Sequence, residues 1–432
     1  MSNTRLLRGR ALSFRERPEG PDDHASYTYE EDAGLLLQDG LITAFGPFDQ
    51  IRQQAPDAPV TDHRPHLMLP GFIDTHIHYP QAEVIACWSP ALLDWLNDYT
   101  FPAETRFSDS DHAARIARLF FDELLRHGTT TAVAYCTSAP ASAEAYFTEA
   151  ERRGMRMLGG KVMMDRNAPQ ALCDTAQASY DDTKTLIGHW HGKGRAGYVI
   201  SPRFAITSTP SQLEAAGVLA AEHPDCHVQT HLSENDAEIA FTAELYPEAR
   251  DYFDVYQRYG LTGPRSLFGH CLHLSGREKA AMAETGSVAV FCPTSNLFLG
   301  SGLYNEAGLR NAGVRTAIAT DVGGGTNYSM LRTLDEGYKV LQLQRQRMAP
   351  IQSFYWITLG NARALSLSDK IGTLAPGSEA DIVVLDAQAT PAMALRMERA
   401  ESLSEELFLL QTLGDDRAIA ATYVAGDPVT LP

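Results

Sequence analysis

Asp74-Thr75-His76-Ile77-His78 carries the clearest chemical signal in the chain. On a strand, residues two apart point to the same side. His76 and His78 therefore project together and can share one metal ion through their ring nitrogens. Three more groups stand at the ends of later apolar runs: His231, with Glu234 three residues on; His270; and Asp321, close before Gly323-Gly324-Gly325. His76, His78 and His231 with the Asp321 carboxylate suit a divalent cation such as zinc. Such a set leaves a position for water, and a metal lowers the pKa of that water toward ~7. The water then needs a proton carrier, and Glu234 is placed to be one. The alternative for Glu234 is a capping carboxylate at the helix that begins near Ser233-Glu234-Asn235. His270 is a further ligand, a donor that polarises substrate or stabilises hydroxide, or a buried structural imidazole.

A second group is suited to holding a substrate. Arg203-Phe204 ends another apolar run. Arg offers a planar fork for a carbonyl or anion, and Phe offers a face on which a flat ring can stack. The alternative is a surface Arg beside a core Phe. Gln81, just past the His pair, brings an amide able to read an amide-like ring edge. Other features are blander. The Gly triplet reads as a tight turn. No G-x-x-x-x-G-K-[S/T] phosphate cradle is present. Cys292 and Ser295 have no evident base partner, which disfavours nucleophilic catalysis. His189-Trp190-His191 repeats the His-x-His spacing, but it precedes Gly-Lys-Gly-Arg with no apolar run before it. It reads as a solvated loop.

The elements that must position these groups form a regular rhythm. Strand-like runs occur at 66–78, 129–137, 155–165, 197–204, 226–234, 266–274, 287–296 and 315–325. Most are continuously apolar, as parallel strands buried on both faces require. Helix-like segments lie between them. SDSDHAARIARLFFDELLRHG opens on Ser and Asp and stops at His127-Gly128. TPSQLEAAGVLAAEHP opens on a Thr/Pro/Ser cap, and GREKAAMAETG stops at Gly286. Eight strand–helix units predict an α/β fold, a (β/α)8 barrel whose strand ends converge on one mouth. The two flanks instead show short alternating runs with Gly, Pro and Asp turns. They are expected to form one small β-domain from both chain ends, residues 1–66 and 371–432, around a barrel domain over 67–370.

Composition narrows the partners. The chain has 432 residues and a formal net charge of −18. That balance disfavours non-specific nucleic-acid binding, which needs clustered Lys and Arg. It disfavours an anionic membrane surface as well. No apolar run approaches the ~20 residues of a span, and the charged N-terminus does not read as a signal peptide. The six cysteines are widely spaced inside apolar segments. They read as reduced thiols of a cytoplasmic protein.

The segments PGFIDTHIHYPQ, LLDWLNDYTFPAETRF, GKVMMDRNAP, SPRFAITST, THLSEN, GHCLHL, CPTSNLFLGSG and ATDVGGGTNYSML resemble the amidohydrolase superfamily and, within it, the family of guanine deaminases. The resemblance covers nearly the whole chain. It implies a distorted (β/α)8 TIM-like barrel with a small β-sandwich from both termini. It also implies one zinc per subunit on His76, His78, His231 and Asp321. The fourth run ends in Ser201-Pro202-Arg203-Phe204, without the bridging Lys of two-metal relatives, so a single metal is expected. The implied reaction is hydrolytic deamination of guanine, a small purine base, to xanthine and ammonia. Hydroxide generated at the zinc attacks C2, Glu234 shuttles the proton, Asp321 orients the water and His270 holds the intermediate. Gln81, Arg203 and Phe204 are implied to surround the purine, with Arg203 on O6. Members are commonly homodimers.

Overall fold

The computed structural model describes residues 4–89 and 92–431, so positions 1–3 of the N-terminal flank fall outside it. Strands β1 (Thr4–Phe14), β2 (Tyr27–Gln38), β3 (Leu41–Pro47) and β4 (Val60–Pro70) come from the N-terminal flank. The barrel strands follow: β5 (Phe72–His78), β6 (Thr129–Tyr135), β7 (Arg156–Gly160), β9 (Gly197–Pro202), β10 (His227–Leu232), β11 (Ser266–His270), β12 (Val288–Phe291) and β13 (Arg315–Ile318). A two-residue β8 (Val162–Met163) pairs with β9. Strands β14 (Ile382–Leu385), β15 (Ile419–Val424) and β16 (Asp427–Pro428) come from the C-terminal flank.

The flank strands make one seven-stranded sheet in the order β16-β15-β14-β4-β1-β2-β3, so both chain ends do build one small β-domain. The barrel strands run parallel in the order β13-β12-β11-β10-β9-β7-β6-β5. Each of the eight apolar runs supplies one of them. The seam between β13 and β5 is held by Asn361, whose Nδ2 donates to Ile73 O at 2.7 Å and Ile318 O at 2.8 Å. Nearer the mouth, Asp321 N donates to His76 O at 2.9 Å and His78 N to Val322 O at 2.7 Å. The seam therefore locks two expected site segments together.

One border moves. The run at 66–78 is split between the sheets, since Leu67–Pro70 belongs to β4 and the barrel begins after Gly71. The change of sheet thus falls at Gly71 and not at 66. A Cβ on Gly71 would lie 2.1 Å from Thr130 Oγ1, so only glycine lets the chain cross there. Both halves of the run are buried, and hydropathy shows no break.

The helices follow their local signals. Asp109 caps Ser110–Arg126 by accepting from Asp111 N and His112 N. That helix buries Ala113, Ile116, Ala117, Phe120, Phe121, Leu124 and Leu125, an apolar stripe at helical spacing. Each fully buried Phe or Leu contributes about 1.5–3 kcal/mol. Thr209 caps Pro210–Glu222, and a Ser275/Glu278 capping box opens Gly276–Thr285. One expectation fails: His189 and Trp190 close the helix Ala176–Trp190 and are not loop residues. Trp190 is buried and its Nε1 donates to Glu144 at 3.0 Å, which draws the helix through the segment. Among the described residues, no helix is long and apolar enough to cross a membrane.

Candidate active site

The expected groups meet at the C-terminal mouth of the barrel. His76 and His78 come from β5, His231 from β10, His270 from the last position of β11 and Asp321 from just past β13. His76 Nε2 and His78 Nε2 each lie 3.4 Å from Asp321 Oδ1. His231 Nδ1 is 2.7 Å from Arg203 O. A carbonyl only accepts, so His231 carries its proton on Nδ1 and presents a lone pair at Nε2. That nitrogen faces His78 Nε2 at 3.3 Å. His76 Nε2 is buried and has no hydrogen-bond partner at all. Burial and neighbouring imidazoles push His78 and His231 well below the usual imidazole range, so both are neutral. A cation between these imidazole nitrogens and the Asp321 carboxylate would be held by the His231 lone pair and its close neighbours. The donors of His76, His78 and His231 lie within 4.8 Å of one another. The set fits a divalent ion of borderline softness.

The backbone turns sharply at this layer. Ser233, His270, Cys271 and Asp321 all hold positive φ, between 50° and 72°. Such conformations cost about 1–3 kcal/mol each and gather at functional sites. The glycines after Asp321 serve close approach and not positive φ. A Cβ on Gly325 would lie 1.9 Å from Thr320 O, and one on Gly323 would lie 2.7 Å from Gln81 O.

Glu234 is not the helix cap. Asn235 caps Asp236–Leu245 and Glu238 completes its capping box. The Glu234 side chain turns to the mouth instead. Ser301 Oγ donates to its Oε1 at 2.9 Å, and His270 Nε2 lies 3.4 Å from its Oε2. Burial, then the charges of Glu238 and Asp321, push its carboxyl well above the usual range. Asn296 Nδ2 donates to His270 Nδ1 at 2.9 Å. The His270 proton therefore sits on Nε2, toward Glu234 and Asp321.

Arg203 and Phe204 are both buried and line the same pocket, with Gln81, Leu92, Trp95, Leu96 and Leu299. The alternative of a surface Arg is thus overturned. Its partner is Glu104, whose carboxylate accepts from Arg203 Nη1 at 2.9 and 2.8 Å. No local pattern singles out Glu104, although its segment belongs to the family-like stretch 92–107. Tyr135 also escapes sequence reasoning. It ends β6 and its ring stacks on His78 at 4.5 Å, and a polar residue at a strand end is the signal that could have found it. Cys292 has its thiol pushed well up by burial, so it is no ready thiolate ligand.

The chain matches the amidohydrolase family profile over residues 67–429. The chain belongs to the amidohydrolase family. Members of this family are typically metal-dependent, and the histidine–aspartate group described above is the candidate metal-binding set. Among its relatives is the guanine deaminase of Escherichia coli K12, 47% identical over 98% of this chain and 97% of that protein. The solved structure of E. coli guanine deaminase superposes with a TM-score of 0.97 at 46% identity, covering 99% of both chains. A guanine deaminase from C. acetobutylicum, solved with guanine in its active site, superposes at 0.89 with 27% identity and covers 99% of this amidohydrolase and 100% of its own chain.

Proposed function

We propose that this amidohydrolase deaminates guanine hydrolytically to xanthine and ammonia. The observation that carries the proposal is the set of polar groups that line one pocket. It is lined by His78, His231 and His270 and the carboxylates of Glu234 and Asp321, and also by Arg203 and Gln81. His76, His78, His231 and Asp321 would hold one zinc per subunit. Zinc there supplies Lewis-acid activation of water at neutral pH.

The chain's own groups do the rest. Glu234, with its raised affinity for a proton, takes one from the attacking water, delivers it to ring N3 and then assists departure of the C2 amino group as ammonia when the C2–N bond breaks. His270 Nε2–H donates toward the oxygen at C2 as charge develops there. Asp321 orients the water by accepting from it. Phe204 offers its face to the purine, and Arg203 donates to O6. The same reading carries a cytoplasmic homodimer, which sedimentation and cell fractionation test.

Guanine turnover followed by ultraviolet absorbance, with and without a strong chelator, tests the function. Zinc-loaded protein is expected to convert guanine, and chelation is expected to stop it. Ammonia released from adenine, a pterin or a triazine, with none from guanine, would overturn the assignment.

A further inference from the structure

We infer that Glu104 is a positioning residue that sets the hydrogen-bond polarity of the Arg203 and Gln81 side of the pocket, and so selects a lactam edge over an amino-substituted one. The inference rests on the guanine reading above. It starts from a buried cluster that the metal chemistry does not use.

Glu104 is 1% exposed and ends the short helix Phe101–Glu104. Its carboxylate receives three hydrogen bonds. Two come from Arg203 Nη1, and Gln81 Nε2 donates to Oε1 at 3.0 Å. An ionised carboxylate only accepts. Glu104 therefore fixes which end of the Gln81 amide faces it: the NH2 turns to Glu104 and Oε1 turns away. That oxygen has one long contact, from Gly323 N at 3.4 Å. It keeps acceptor capacity at the pocket it lines. Arg203 is restrained on the other side. One of its nitrogens is held by Glu104, while Nε and Nη2 have no protein acceptor among the described residues. The pocket is left with a donor from Arg203 beside an acceptor from Gln81.

Guanine presents the complement. Its six-membered ring carries an acceptor at O6 next to a donor at N1–H. 2,6-Diaminopurine has the same amino group at C2 but the opposite edge, with a donor at the 6-amino group and an acceptor at N1. A pocket whose polarity is fixed accepts the first and leaves buried groups unpaired against the second, which is the strong form of discrimination. With Gln in place of Glu104, the partner of Gln81 can donate or accept. The Gln81 amide can then turn over, and the edge preference is released.

The test is the ratio of kcat/KM for guanine to that for 2,6-diaminopurine, measured on the zinc-loaded protein. Glu104→Gln is expected to lower this ratio by at least ~10-fold, the loss of one well-placed hydrogen bond. Glu104→Asp keeps an acceptor-only carboxylate and is expected to hold the ratio even where both rates fall. Gln81→Leu removes the acceptor without touching the ion pair, and is expected to lower the ratio as Glu104→Gln does. It decides the matter if Glu104→Gln proves insoluble. An unchanged ratio in soluble Glu104→Gln, or in Gln81→Leu, would show that Glu104 only supports packing. Wild-type turnover of guanine is the separate check on the underlying function. If it is absent, that assignment fails before any variant is compared.

Discussion

The two ends of the barrel use the same residue types to opposite purposes, and strand β10 shows both. His227 starts the strand and gives its Nε2 to Leu365 O at 2.9 Å. His231, four residues on, aims a bare Nε2 at His78 Nε2, 3.3 Å away. At the start of β13, Arg315 donates to the carbonyls of Pro264, Gly286, Arg363 and Ala364. Just before β9, four strands away in the barrel order, Arg195 is paired with both Glu379 and Asp381. At the other end His76 Nε2 is buried without a hydrogen-bond partner. A buried polar group ordinarily finds one. Between His227 and His231, what differs is whether protein groups complete the ring's hydrogen bonds or leave one nitrogen open, not residue type.

The sharpest way to break that contrast is at His76. His76→Ala is expected to remove bound zinc and reduce guanine turnover by at least ~10³-fold, several kcal/mol of charge stabilisation. Elemental analysis alongside the assay checks it, and full activity with an unchanged zinc content would refute the ligand assignment. Glu234 comes next. Glu234→Gln keeps shape and burial but cannot take up a proton. A loss of ~10²–10⁴ in kcat with zinc retained is expected, the usual worth of a positioned acid–base group. Near-normal turnover would remove Glu234 from the proton path.

Both residues are legible in the amino-acid sequence because a barrel collects its strand ends. Position along an apolar run is enough to place His76, His78, His231, His270 and Asp321 together. The eight strands are legible for a related reason: strands buried on both faces leave continuous apolar runs. Other features depend on packing that leaves no periodic trace. The passage from β4 to β5 at Gly71 lies inside one apolar run, because both sheets bury it. The helix through His189-Trp190 outlasts its polar composition because Trp190 is buried. Glu104 and Asn296 act through partners 99 and 26 residues away, and no local pattern announces either.

The lower end gives a pH signature of its own. Burial pushes His227 down to about 4, from 6.5 in an unfolded chain. A histidine with a depressed folded-state pKa favours the neutral form. Its stability is fully present above pH 6.5 and is lost as pH falls through that value toward 4. The total is about 3 kcal/mol, from the shift between the two states. Urea midpoints of wild type and His227→Gln at pH 7.5 and pH 4.5 read this. The variant is expected to lose less stability on acidification. Equal losses would mean that His227 is not buried neutral.

The smallest expected effect is the most direct check on spacing as evidence. His189 and His191 reproduce the two-residue interval of His76 and His78, and His191 lies near two further donors, Asp225 and Cys226, within 4.8 Å. Yet both rings are committed to protein partners. His189 Nδ1 meets Glu144 at 3.1 Å, while His191 accepts from Tyr198 N at 3.0 Å and meets Asp225 at 3.1 Å. Burial pushes the Cys226 thiol up to about 12, so no thiolate is offered at neutral pH. The double substitution His189→Ala, His191→Ala is therefore expected to leave zinc stoichiometry and guanine kcat/KM unchanged. The cost to stability is about 1 kcal/mol, from the lost hydrogen bond to Tyr198 and two half-exposed ion pairs. A fall from two zinc ions per chain to one would show that an open-looking interval can bind metal even where the fold has supplied partners. That result would undo the rule drawn from β10. Unchanged zinc with a small drop in midpoint would confine metal binding to the end of the barrel where His76, His78 and His231 gather.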